Sequence, residues 1–232
     1  MNIYAIGDLH LSLAQPGKEM DLFGSHWENH FARISEDWQR RVGRDDVVLI
    51  PGDISWAMKL EDARPDLEAI GDLPGKKIII RGNHDYWWGS AAKVESVLGH
   101  DTRIIQNNCI VEGEYVFCGS RGWTFPTDGP LGAEDNRIYE RELIRLGLSL
   151  DCAKKHKDKR LIVMIHYPPL YEEFTNTEFT RMISAAGASE VVFGHLHGDV
   201  LNRIHLTDFQ YAGGNYNLVS ADYMDFRLKQ IV

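Results

Sequence analysis

Five short apolar runs punctuate the chain: Ile3-Tyr4-Ala5-Ile6, Val47-Val48-Leu49-Ile50, Ile78-Ile79-Ile80, and the stretches 161–165 and 190–193. Runs without polar alternation read as strands buried on both faces, the pattern of a parallel sheet. Helical periodicity fills the gaps between them. Trp27, Phe31, Ile34, Trp38 and Val42 form one apolar stripe, which predicts a helix over 25–41 with Ser25 as its N-cap and Gly43 at its end. Further helices are expected near 60–70 and over 134–155, the latter with Tyr139, Leu143, Leu146, Leu150 and Ala153 on one face.

Between Arg103 and Ser120 the pattern shortens to strands and turns, at 104–105, 109–111 and 115–118. Residues 121–133 hold Gly, Pro, Thr and Asp without periodicity, so they are expected to form a long loop. From Asp199 the tail alternates as a β-ribbon, with turns at Gly213-Gly214 and near Tyr223. A βαβ half followed by a strand-rich half points to two sheets packed face to face with helices outside.

Composition narrows the picture. A chain of 232 residues fits one α/β domain spanning 1–232, and 44% hydrophobic with 25% charged residues removes disordered and fibrous classes. The net charge of −9 would become −9 + 4 = −5 with two divalent cations, still poorly suited to gripping long nucleic acid. The basic cluster 154–160 reads as a solvated helix end running into a turn. Cys109, Cys118 and Cys152 show no metal-ligand or paired spacing and are expected to be reduced thiols in a cytoplasmic protein. The first strand begins at once, leaving no space for a signal peptide, and no apolar stretch approaches a membrane span.

Candidate chemistry sits directly after the apolar runs, where the edge of a sheet gathers ligands. The blocks are Asp8-Leu9-His10, Gly52-Asp53, Gly82-Asn83-His84-Asp85, His166 and Gly194-His195-Leu196-His197. Carboxylate, imidazole and amide oxygen together suit a pair of borderline divalent cations. Asp8 and His10, two apart, aim the same way from an extended backbone. Asp53 is placed to be the carboxylate that two cations share, and Asn83 offers a neutral oxygen. His84 would point toward substrate as an acid, with Asp85 accepting from its second ring nitrogen to fix the tautomer.

This order of blocks resembles the calcineurin-like metallophosphoesterases, whose pattern D-x-H, G-D, G-N-H-[D/E], H and G-H-x-H is matched in full from residue 8 to 197. The resemblance implies a four-layer αββα sandwich of two mixed β-sheets flanked by helices. It implies one metal held by Asp8, His10, Asp53 and His197, and a second held by Asp53, Asn83, His166 and His195, with water or hydroxide bridging them. His84 would match the family's general acid or transition-state stabiliser. The cations are expected to be Mn²⁺, Fe²⁺/³⁺, Zn²⁺ or Co²⁺. Attack by metal-bound hydroxide would cleave a phosphate ester.

Around Asp53 and His84 the chain also looks like a group of bacterial predicted phosphohydrolases of similar size. Ile54-Ser55-Trp56 stands where the protein Ser/Thr phosphatases carry a phosphate-gripping arginine, and His84 stands where the lipid A pathway hydrolases carry arginine. The expected substrate is therefore a small phosphodiester, with a phosphomonoester or a short single strand as alternatives. A non-catalytic scaffold would have lost ligands, and none is lost here. Trp56, Trp87 and Trp123 lie beside the blocks and are candidate stacking faces for a flat leaving group.

Overall fold

The computed structural model describes residues 1–127, 129–171, 173, 175–201 and 208–232. Two sheets carry the molecule. The first has the order β11-β1-β2-β3-β4, built from β1 (Ile3–Ala5), β2 (Val47–Ile50), β3 (Lys76–Ile79), β4 (Thr102–Ile104) and β11 (Lys229–Gln230). The second has the order β5-β6-β7-β8-β10-β9, built from β5 (Ile110–Glu112), β6 (Tyr115–Ser120), β7 (Arg160–Ile165), β8 (Glu190–Phe193), β9 (Phe209–Tyr211) and β10 (Gly214–Leu218). Inner strands pair in parallel, and the antiparallel pairs lie at the edges, so both sheets are mixed.

Alternation along each strand sorts side chains into three cores. Ile3, Ala5, Val47, Leu49 and Ile78 meet Phe117, Ile162, Met164 and Val192 between the sheets. Their neighbours Tyr4, Ile6, Val48, Ile50 and Ile79 face outward onto α1 (His30–Arg41) and α2 (Leu60–Gly71) through Ile34, Trp38, Ala63, Leu67 and Ile70. On the far side Val116, Cys118, Val163, Val191 and Phe193 meet Leu146, Leu150, Phe179 and Ile183 of α4 (Ala133–Ala153) and α5 (Glu178–Ala185). The result is the four-layer αββα sandwich, with a short α3 (Ala91–Glu95) after β3.

Several expectations need correction. The first helix starts at His30 rather than Ser25, because Asn29 takes a left-handed conformation (φ 53°) and residues 25–27 form a separate 3₁₀ turn. Ser25 makes no side-chain cap. The helix α5 was invisible to apolar spacing; its start is set by Thr177 and Thr180, whose hydroxyls cap each other's amides. The tail ribbon begins at Phe209 among the described residues, and 202–207 lie outside them.

The cysteines correct a chemical expectation. Cys109, just before β5, and Cys152, in the last turn of α4, form a disulfide with Cα atoms 5.6 Å apart. Packing of α4 on the second sheet brings together residues 43 apart in sequence, a pairing no spacing rule reveals. Only Cys118 is a free thiol, buried against the same helix. No helix among the described residues is long and apolar enough to cross a membrane.

Candidate metal centre

Every block named above emerges at the same edge, from loops after β1, β2, β3, β7 and β8. The loops are held by backbone, not by side-chain packing alone. Asp8 and His10 donate their amides to the carbonyls of Gly52 and Asp53, at 3.0 and 2.9 Å, which welds the first two loops. Asp8, His10, Asp53 and His195 all have positive φ (54°, 46°, 51° and 71°), so each is a sharp left-handed turn that lifts its side chain off the strand line. The third loop is tied in by Asp85. Its carboxylate accepts from the amides of Ile54 (2.8 Å), Ser55 (3.2 Å) and Gly82 (2.7 Å) and from the indole of Trp87 (3.0 Å).

Two glycines make the convergence possible. A Cβ on Gly82 would collide with the Asp53 carboxylate and amide, and one on Gly194 would collide with the Asp8 carboxylate. The second sheet is joined to the first at this point. Asp8 accepts from the His195 amide at 3.0 Å, and His166 Nδ1 lies 2.9 Å from the Pro51 carbonyl.

Ligand atoms fall into two overlapping groups. Asp8, His10, Asp53 and His197 bring one ligand atom each within 4.8 Å of one another, as do Asp53, His166 and His195. Asn83 Oδ1 completes the second group, 2.7 Å from His166 Nε2 and 2.9 Å from His195 Nδ1. Asp53 Oδ2 belongs to both, 3.8 Å from His10 Nε2 and 3.5 Å from His166 Nε2. Neither this oxygen nor either ring nitrogen of His10 has a hydrogen-bond partner among the described residues, although all are buried. Buried polar atoms left without partners are costly, and a cation between the His10 ring and Asp53 Oδ2 would satisfy the oxygen and one ring nitrogen at once.

The electrostatics match. Burial pushes Asp8 up to about 6 against the pull of His197, and burial with the nearby Asp8 and Asp85 raises Asp53 well above its ordinary value. Burial and neighbouring imidazoles push His10 and His166 well down and bring His195 to about 4. Neutral imidazoles beside crowded carboxylates are the donor set that divalent cations bind, because the cation supplies the missing positive charge.

The candidate aromatic residues divide. Trp56 stacks on His10 with ring centroids 4.7 Å apart, and its indole donates to Met20 Sδ. Trp123 lies 4.8 Å from Tyr167, which itself stacks on His195 at 4.0 Å. Trp87 differs: it is 3% exposed in the outer core and bonded to Asp85, leaving it no face for a substrate. Asp85 is corrected too. Both its oxygens are occupied by the four N–H donors named above, so it clamps two loops rather than orienting the His84 ring. His84 is half-buried, its amide donates to Asp53 at 2.8 Å, and its ring nitrogen Nδ1 has no described partner.

The sequence profile of the calcineurin-like phosphoesterases matches residues 1–199. The chain belongs to that family. The two Asp/His groups are ones that could hold metal ions. Among curated relatives, Gene 66 proteins of Mycobacterium phages D29 and L5 are 38% and 34% identical over 87 residues. That match covers 36% of this chain and 40% of theirs. Among solved structures, phosphopantetheinyl hydrolase from Mycobacterium tuberculosis aligns over 100% of this chain and 95% of its own, with TM-score 0.55 and 14% identity. TT1561 of Thermus thermophilus aligns over 98% and 96%, with TM-score 0.61 and 16% identity. At such identities the likeness speaks for the fold alone.

Sequence reasoning passed over Tyr167. Its ring stacks on His195, and its position directly after His166 was the available signal.

Proposed function

We propose that this phosphoesterase hydrolyses a small organic phosphodiester, with phosphomonoesters as poorer substrates, using two metal cations such as Mn²⁺, Fe²⁺/³⁺ or Zn²⁺. The observation that carries the reading is Asp53 Oδ2, unpartnered and buried between His10 and His166. Asp8, His10, Asp53 and His197 would hold one cation; Asp53, Asn83, His166 and His195 would hold the other. Bound there, the cations supply Lewis-acid polarisation of the phosphoryl oxygens and activation of water.

The residues of the chain do the rest. Asp53 and Asn83 fix the spacing of the two positions, and Asp85 keeps their loops from separating. Burial and His197 hold the His84 imidazole below its ordinary value, which favours the neutral ring. Its N–H would donate a hydrogen bond to the leaving oxygen and stabilise the charge that builds there as the P–O bond breaks, while water supplies the proton that the alkoxide takes up.

The diester preference rests on walls at both flanks. Trp56 and the exposed Tyr86 stand beside His84 on one side, and Tyr167 with Trp123 on the other. Two aromatic surfaces suit two organic arms, and the acidic chain disfavours long nucleic acid. The whole chain acts as one domain in this reading, since both sheets contribute to one centre. The cytoplasmic placement loses its support from reduced thiols, because Cys109 is joined to Cys152. The test is turnover of bis-p-nitrophenyl phosphate against p-nitrophenyl phosphate with Mn²⁺, Fe²⁺, Zn²⁺ or Co²⁺. A higher kcat/KM for the diester is expected; no turnover of either with any of the metals overturns the assignment.

A further inference from the structure

Beside the metal centre lies a second concentration of charge that the proposed reaction does not use. Arg81 follows β3, Arg121 follows β6 and Arg145 projects from α4, and all three line a cavity of about 90 Å³ with Glu142. That volume is room for about three waters, or one compact oxyanion. Glu142 is fully buried; its Oε1 accepts from Arg145 at 2.8 Å and from Arg121 at 3.3 Å. Among the lining side chains the count is 3 − 1 = +2, and Asp85, which does not line the cavity, offsets part of the Arg81 charge from behind. Excess charge of one sign, partly withdrawn from water, calls for a counter-charge.

The unsatisfied atoms say what kind. Among the described residues, Arg81 Nε and Arg121 Nε are buried without an acceptor, and Glu142 Oε2 is buried without a donor. Chloride would answer the arginines but not Glu142, and sulfate, fully deprotonated at neutral pH, would set an oxygen against it. A hydrogen phosphate or a singly protonated phosphomonoester answers both, having acceptor oxygens and one O–H. Gln106 and Ser120 add polar lining on the same cavity.

We propose that this cavity is a second phosphate site, independent of the metals, in which Arg81, Arg121 and Arg145 donate to a phosphoryl group and Glu142 accepts from its P–O–H. The site is coupled to the centre through the chain. Arg81 is two residues from Asn83, and the Arg121 carbonyl accepts the amides of His166 (3.1 Å) and Tyr167 (2.9 Å). The phosphoryl group comes either from a second phosphate on the substrate or from free phosphate; the first of these rests on the phosphoesterase reading, the site itself does not.

The test is calorimetric titration of inorganic phosphate and of sulfate into the Mn²⁺-loaded protein, for wild type, Arg145→Gln and Glu142→Gln. Two phosphate sites are expected in wild type, with one of them weakened at least about tenfold in Arg145→Gln, a loss of one charged hydrogen bond. Sulfate should bind Glu142→Gln at least about tenfold more tightly than wild type, since the opposing carboxylate is gone. A gain of affinity of this kind cannot come from misfolding. A single phosphate site of equal affinity in wild type and Arg145→Gln, or sulfate binding unchanged in Glu142→Gln, overturns the proposal.

A kinetic arm names the source. If the substrate supplies the group, KM for glycerol 1,3-bisphosphate lies below that for glycerol 1-phosphate in wild type, and the gap closes in Arg145→Gln. If free phosphate supplies it, the two KM values agree in both proteins while the second site persists. Turnover of p-nitrophenyl phosphate by the wild-type enzyme tests the main function separately, so the two failures are distinguishable.

Discussion

The two sheets contribute to the metal centre in different ways. The first carries every candidate oxygen ligand, Asp8, Asp53 and Asn83, together with His10 and His84; the second carries only candidate imidazoles, His166, His195 and His197. Asp8, His10 and Asp53 are wholly buried and interlocked through backbone amides and the Asp85 clamp. On the second sheet His166 is wholly buried, while His195 and His197 are partly exposed on a loop pinned by the Gly194 amide on His166, the His195 amide on Asp8 and the Gly198 amide on Asp222. One sheet therefore builds a rigid cradle, and the other lays donors over it. The lesson is that the seven candidate ligands do not carry equal structural weight: some of them also hold the backbone of the site together.

That contrast can be broken by substitution. Asp53→Asn should have the largest effect, since one oxygen serves both groups: metal content measured by mass spectrometry should fall for both positions, and activity by about a thousandfold or more, roughly 4 kcal/mol. Retention of two metals would refute the shared role. His84→Ala should leave metal content intact and lower kcat by about 10²–10⁴. Replacing Cys109 and Cys152 together by Ser removes the staple of the second sheet. For a loop of this length about 3–4 kcal/mol of stability should be lost in urea titration, with the metal content of the folded protein retained.

Smaller effects sharpen the same comparison. Gly194→Ala drives a methyl into Asp8 across the sheet boundary, and about 1–3 kcal/mol of destabilisation is expected, with weaker metal binding measured by chelator competition. Asp37→Asn tests the first sheet's outer layer, far from the metals. Burial opposes ionisation of Asp37, but the Leu228 amide and the guanidiniums of Arg40 and Arg41 prevail and hold it below its ordinary 3.8. A depressed carboxylate stabilises the fold above the unfolded value and loses that contribution as pH falls through the folded one. The variant should thus be about 1–3 kcal/mol less stable at pH 7, with the difference closing below pH 3.8 in thermal melts.

Much of this was legible in the chain because parallel strands buried on both faces leave a strong imprint. Val47–Ile50 and the 161–165 run have no polar residue, and the ligands follow at their ends. The order of Asp, His and Asn along the sequence also carried the family resemblance, and the pairing of candidate ligands came from that resemblance. What the sequence hid depends on contacts across layers. The partner of Cys109 lies on a helix 43 residues away, and the true work of Asp85 is fixed by where the Ile54 and Ser55 amides point. Trp87 illustrates the same limit, because adjacency to a site block does not say which way an indole faces.

The left-handed turns at Asp8, His10, Asp53 and His195 bear on how such a centre could be built anew. A left-handed residue with a side chain costs on the order of 1–2 kcal/mol, and four of them must be sustained by the surrounding sheet. Grafting the seven side chains onto another scaffold would reproduce the chemical inventory and miss the directions in which it points. The transferable unit is a set of four kinks and the strand ends that force them; a designer would copy the backbone first and choose the metal ligands last.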